Sequence, residues 1–164
     1  MRIRPVEPKD AAQIRAIAEH MEIQRSMQLS RVDFVNAEKL LGELTELDHM
    51  LVIESETPPA EICAAILLRV DRQIYLRSVA FLEVMVGTKW QNQGIGRALM
   101  QAALELADKE LMIERVEVEI AADNLNALKL CKSLGFKVEG TGRKWAVADD
   151  GSWIDAFLLA KCRS

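Results

Sequence analysis

The segment Phe81–Met100, FLEVMVGTKWQNQGIGRALM, carries the densest chemistry in the chain. An apolar, strand-like run (Phe81–Val86) passes through a short polar loop into Gln91-Asn92-Gln93-Gly94-Ile95-Gly96, which opens an amphipathic helix. Two near-adjacent glycines at a strand-to-helix turn let backbone N–H groups approach a ligand closely, and the helix start adds a positive dipole end. The ligand such a turn suits is one that bears phosphate. The spacing does not complete the dinucleotide fingerprint G-x-G-x-x-G/A, because Leu99 stands at the third small position. It also lacks the Gly-Lys-Ser/Thr ending of a P-loop. On the glycines alone, a helix start that merely needs a tight turn accounts for the pattern equally well.

Other reactive residues are few. The cysteines, Cys63, Cys131 and Cys162, are odd in number and widely spaced, with no C-x-x-C pair. That pattern points to free thiols in a reducing cytoplasm. The two histidines, His20 and His49, have no metal-ligand spacing around them, so no metal is expected.

At 164 residues the chain suits one domain, residues 1–164, and with 50% hydrophobic and 28% charged residues it should pack as a globule. A net charge of −4 argues against nucleic acid as a partner, since a binder of phosphate backbones normally shows a basic face. A mildly acidic surface favours a cationic amine substrate. The start, MRIRPVEPKD, has no apolar core of a secretory signal, and no apolar run approaches membrane-spanning length. A cytoplasmic location with no membrane partner is the expectation.

The elements that must position the Gln91–Gly96 turn can be read from periodicity. Ile3–Val6 is a short first strand, near a sheet edge because of Pro5. Asp10 is placed to cap a helix with Ile14, Ile17, Ala18 and Met21 inward, and a second helix covers Phe34 to Leu47 with Val35, Leu40, Leu41 and Leu44 inward. Strands are expected at Met50–Glu54, Ile62–Val70 and Phe81–Val86. The helix after Gly94 turns Ile95, Leu99, Ala102, Ala103 and Leu106 to one face. Val116–Ile120 alternates as a half-wet strand, and a helix from Asn124 to Leu134 is stopped by Gly135 with Phe136 packing back. Strand segments follow at 136–139, 144–147 and 153–160, with Asp149-Asp150-Gly151 as a hairpin turn. The order β-α-α-β-β-β-α-β-α-β-β describes an α/β protein of the α+β type, a mixed sheet with helices on both faces.

Three blocks in this order resemble the GNAT N-acetyltransferase superfamily. The first is Gln91–Gly96, which fits Q/R-x-x-G-x-G/A. The second is Asp123-Asn124-x-x-Ala127 followed by Leu134-Gly135-Phe136. The third is the C-terminal hairpin, Gly140-Thr141-Gly142-Arg143-Lys144 through Trp153-Ile154-Asp155-Ala156, which is similar to bacterial members that act on free L-amino acids. The resemblance implies a mostly antiparallel central sheet and acetyl-CoA as cosubstrate. It places the coenzyme diphosphate on the N–H groups of Gln91, Asn92, Gln93, Gly94, Ile95, Gly96 and Arg97, with Gly94 and Gly96 permitting close approach. Pantetheine would pair with the backbone of Val84, Met85 and Val86, and Asn124 and Ala127 would meet the cofactor from the next helix. Asp123 or Asn124 is also a helix cap in its own right.

Direct attack by a primary amine within a ternary complex needs a proton acceptor, an oxyanion donor and a tolerated thiolate, but no enzyme nucleophile. The resemblance puts the oxyanion donor at the N–H of Met85 or Val86. Glu83, on the strand leading to the thioester, is the first candidate base; its alternative role is pairing with Arg77, Lys89 or another cation. Glu117 and Glu119 are further candidates, and Asp155 either holds a substrate ammonium or locks the hairpin. Cys131 occupies the position where many members carry a Tyr acid, so it is the candidate acid, with Ser133 or water as substitutes. Met21, Met27, Phe34 and Trp145 are candidates to line an apolar acceptor pocket. The acceptor reads as a small-molecule amine, a free amino acid among them, with a peptide N-terminus or a polyamine as alternatives. A non-catalytic acyl-CoA sensor or a nucleotide-binding protein are the readings outside this class. A homodimer would cover apolar strand edges.

Overall fold

The computed structural model describes all 164 residues. Seven strands form one sheet: β1 (Arg2–Pro5), β2 (Asp48–Glu54), β3 (Ile62–Val70), β4 (Val79–Val86), β5 (Arg115–Ala121), β6 (Lys137–Val147) and β7 (Trp153–Cys162), in the order β1-β2-β3-β4-β5-β7-β6. Every neighbouring pair is antiparallel except β4 and β5. The near-continuous apolar run of β3 belongs at the centre of a sheet covered on both faces. Its alternate residues enter separate cores. Ala64, Ile66, Leu68 and Val70 pack with α4 (Ile95–Lys109) and with Cys131 of α5 (Leu125–Ser133). Ala65 and Leu67 pack with the N-terminal helices α1 (Ala11–Ala18), α2 (Met21–Ser26) and α3 (Ala37–Gly42). No helix is long and apolar enough to cross a membrane.

The N-terminal third departs from its periodicity. The expected first helix breaks at His20, whose ψ of 130° is extended, and α2 restarts on a new axis with Met21 in solvent. Asp10 does not cap α1; its carboxylate accepts two bonds from Arg4 (2.8 and 2.9 Å) and one from the Glu7 N–H. A buried guanidinium claims the acid more strongly than a helix N-terminus does. The second helix is short, and Val35 is exposed rather than inward. The 45–48 turn is closed by Thr45, whose N–H and hydroxyl both donate to Asp48.

The C-terminal segments 136–139 and 144–147 merge into one strand, β6, bulged between Gly142 and Ala146. Where the sequence is locally decisive the outcome agrees. Gly135, at φ +93°, ends α5 with its own N–H on Lys132 O and the Phe136 N–H on Cys131 O.

One long-range feature makes the site. β4 and β5 pair only through Val79↔Arg115, Ala80↔Val116 and Phe81↔Glu117. Beyond those residues the two strands part, and the sheet opens into a cleft.

Candidate active site

The cleft between the parted strands encloses about 120 Å³, narrower than a pocket that swallows a whole drug-sized ligand. Side chains from both faces of the sheet line it. Leu82, Val84, Val118 and Ile120 come from the face that carries α4 and α5; Phe81, Glu83 and Glu119 come from the opposite one. The cleft therefore runs through the sheet, joining one face to the other.

On the α4 face lies the turn singled out in the sequence. Gly87 and a single 3-10 turn (Thr88–Trp90) lead to Asn92 and Gly94, both left-handed at φ +58° and +78°. The N–H groups of Asn92 through Arg97 find no acceptor within the chain; Ala98 is the first to do so, on Gly94 O at 3.0 Å. The side chains of Gln91 and Gln93 fold inward and donate to Val86 O (3.2 Å) and Lys89 O (2.8 Å). They brace the loop through its carbonyl oxygens and leave its donors outward. Six consecutive free donors at a helix start form an anion cradle that fits a diphosphate. The two glycines serve different ends. Gly94 is required by its positive φ, with open space where a Cβ would point. At Gly96 a Cβ would come 3.3 Å from Val86 Cγ2, so this glycine lets α4 pack closely on β4. Arg97 donates to Ser133 Oγ at 2.7 Å, beside the cradle.

Along the split edge of β4 the main chain is selectively exposed. The Gly87 N–H donates to Cys63 O and Val79 O accepts from the Asp71 N–H, so the odd-numbered residues of β4 bond to β3. By alternation Val84 and Val86 turn their N–H and C=O groups toward the split edge, where the Val86 C=O already accepts from Gln91 Nε2. Met85 does neither: its main chain faces β3 and its side chain is buried in the N-terminal core. A regular strand cannot offer three successive residues to one edge, so the trio Val84, Met85 and Val86 reduces to Val84 and Val86.

The opposite face holds the charges. Glu83 is buried, and it accepts a hydrogen bond from Ser30 Oγ and another from the Arg31 N–H at 2.8 Å. It pairs with neither Arg77 nor Lys89; Lys89 bonds Glu61 instead. Burial pushes the Glu83 carboxyl above its ordinary range, nearby Glu119 adds to the rise, and the two donated hydrogen bonds oppose it. Glu119 accepts from Arg31 Nη2 at 2.5 Å and from Trp145 Nε1 at 3.2 Å. Trp145 reaches this point because three residues, Arg143–Trp145, bulge opposite Asp155 and the indole folds onto Gly142, where a Cβ would sit 2.3 Å from the ring. Asp155 holds the bulge by accepting the Lys144 N–H at 2.8 Å, a structural placement. Glu117 pairs with Arg115, away from the cleft lining.

Asn124, just before α5, lines the cleft together with Ala127 and Cys131 of that helix. Asn124 Oδ1 caps the helix by accepting the Ala127 N–H at 3.2 Å. Cys131 is buried, and burial pushes its thiol up to about 11. Of the residues expected to line an acceptor pocket, Met27 does; Phe34 lies in the N-terminal core, Met21 is in solvent, and Trp145 is exposed and meets the lining only through its bond to Glu119. Ser30 and Arg31 were not legible in the sequence. Their partners are 53 and 52 residues away on β4, and no local pattern marks them.

Comparison with known proteins gives the family. The model of the acetyltransferase (GNAT) domain matches residues 3–158. The L-amino acid N-acetyltransferase AaaT of Escherichia coli K12 is 36% identical over 85 residues, 52% of each chain. The [ribosomal protein bS18]-alanine N-acetyltransferase of the same organism is 30% identical over 88 residues, 54% of this chain and 58% of that one. The chain thus spans about half the length of the curated relatives it matches. The spermidine N-acetyltransferase from Vibrio cholerae, solved with CoA and spermine, has the same fold with a TM-score of 0.83 at 18% identity, over 98% of this chain and 94% of that one. With the family model spanning nearly all of its length, the chain belongs to the GNAT acetyltransferases.

Proposed function

We propose that the protein is an acetyl-CoA-dependent N-acetyltransferase that acetylates the primary amine of a small molecule, free amino acids among them. The observation that carries this reading is the order of features along β4 and the turn after it: buried Glu83 in the wall of the cleft, then Val84 and Val86 on the split edge, then the free N–H donors of Asn92–Arg97. The donors of Asn92–Arg97 fit the coenzyme diphosphate, and the exposed main-chain edge at Val84 and Val86 fits an extended pantetheine arm. Bound acetyl-CoA supplies the thioester carbon, at which the C–N bond forms as the C–S bond breaks.

The chain's own residues do the rest. Glu83, raised by burial, draws the ammonium proton directly or through a water, and a raised carboxyl is better matched to that task than an ordinary one. The Val86 N–H, turned to the cleft, is the donor for the developing oxyanion. Cys131 is a poor acid for the departing thiolate. Moving a proton from a thiol at about 11 to one of ordinary acidity, about 8.5, costs about 3 kcal/mol. The coenzyme therefore leaves as the thiolate and takes its proton from water. The same burial makes Cys131 an unfit nucleophile.

Residues 1–164 act in this reading as one cytoplasmic domain, and the exposed Val138 and Val147 of edge strand β6 suit a homodimer. The missing Tyr acid favours a second reading, a non-catalytic acyl-CoA sensor. Thiol release from acetyl-CoA over an amine panel, with CoA binding followed by calorimetry, separates the two. Binding without release for any amine would overturn the transferase reading.

A further inference from the structure

On the Glu83 face of the sheet, cleft-lining Glu119 is held by one ion pair, and its composition names a substrate chemistry. Arg31 Nη2 donates to Glu119 Oε1 at 2.5 Å, across 88 residues of sequence. The two partners differ in setting: the Arg31 side chain is 62% exposed and that of Glu119 only 12%. Glu119 is tied on its other oxygen by Trp145, whereas the Arg31 guanidinium, 5.4 Å from the Phe81 ring centre, spends a single N–H on the pair. A guanidinium has five donors in a planar fork that matches a carboxylate in bidentate fashion. Most of that fork is unused.

We propose that Arg31 is the specificity-determining residue for the acceptor: it holds the α-carboxylate of a free amino acid, and the substrate zwitterion replaces the Arg31–Glu119 pair. This rests on the transferase reading above. An ammonium approaching Glu83 meets Glu119 Oε1, the atom Arg31 occupies. Cation displaces cation there, and the freed guanidinium then needs an anion. In an α-amino acid the carboxylate sits on the carbon that bears the amine, so one small molecule satisfies both halves of the parted pair. A polyamine or a peptide N-terminus brings the cation without that anion and leaves Arg31 unpaired over Phe81. The Arg31 main chain is a separate matter, since its N–H holds Glu83 whatever the side chain is.

The test measures thiol release for the L-amino acids and, for each one turned over, for its α-amide; spermidine and a short peptide are included. It is run on the wild type, Arg31→Gln and Arg31→Lys. The expected wild-type preference for acid over amide is about 10- to 100-fold in kcat/KM, carried by KM, as for one charge-assisted bidentate contact. In Arg31→Gln CoA affinity is unchanged and the amide is turned over at least as well as by the wild type, its ammonium no longer displacing a cation from Glu119, while the preference for the acid collapses to near unity. Arg31→Lys restores part of it. Calorimetric binding of the amino acid to the CoA-loaded protein must weaken in parallel, a readout independent of turnover. Equal use of acid and amide by the wild type, or an unchanged preference in Arg31→Gln, overturns the assignment and leaves acetyl transfer standing. Turnover of spermidine or the peptide alone does the same. No release with any amine removes the transferase reading and this inference together.

Discussion

Glu83→Gln separates the two roles open to the buried carboxylate, catalysis and anchoring of the segment after α2. The substitution keeps shape and removes charge. Ser30 Oγ, which gives its one proton to Glu83 in the wild type, has Val32 O within reach at 3.0 Å; it can turn the proton there and accept from the new amide N–H, and the Arg31 N–H can still donate to the amide oxygen. Every buried polar group keeps a partner, and the fold should tolerate the change. Stability should even rise at neutral pH. The folded-state carboxyl lies above its ordinary value of 4.5, so the folded state binds the proton more tightly than the unfolded chain does. Wild-type stability then falls as pH rises from about 4.5 through the raised folded value, and the glutamine variant has no such loss. The Tm difference, variant minus wild type, should grow in favour of the variant between pH 4 and pH 7. Activity should move the opposite way. Loss of a positioned base lowers kcat by about 10²- to 10⁴-fold, or about 3–5 kcal/mol in barrier height. The assay is thiol release over pH 6–9 on the best acceptor amine, beside thermal unfolding at each pH. A variant that retains kcat/KM within threefold across that range refutes Glu83 as the base and leaves it an anchor.

Gly94→Ala puts an L-residue at φ +78° with no steric clash, so the cost is backbone strain of about 1–2 kcal/mol and a Tm lower by several degrees. Relaxation of that strain should also re-aim the cradle and weaken CoA binding about tenfold, as expected for one charge-assisted N–H contact; unchanged affinity by calorimetry would place the diphosphate elsewhere. Cys131→Ala should change kcat by less than about fivefold, because a thiol near 11 contributes little proton donation. In the native wild type Cys131 should resist a thiol reagent at pH 8 and react only on unfolding, while exposed Cys162 reacts at once. Rapid labelling of native Cys131, or a hundredfold fall in kcat, would reverse that assignment.

The sequence by itself determined what adjacent residues decide among themselves. The Gln91–Gly96 turn, the Gly135 stop with Phe136 behind it, and the strand order of apolar and alternating runs each depend on φ preference, capping or burial period over a few residues. Periodicity failed at the N-terminal helices, where a break at His20 and the pull of Arg4 on Asp10 overrode local preference. Tertiary structure alone decided the site. The parting of β4 from β5 after three residue pairs is a relation between two strands more than thirty residues apart, which no single segment encodes. The register of β4 on β3 fixes which of its residues face the cleft and turns Met85 away from it. The fold also gathers Arg31, Glu83, Glu119 and Trp145 from four separate elements, because contacts across 26 to 88 residues follow from sheet order and not from sequence spacing.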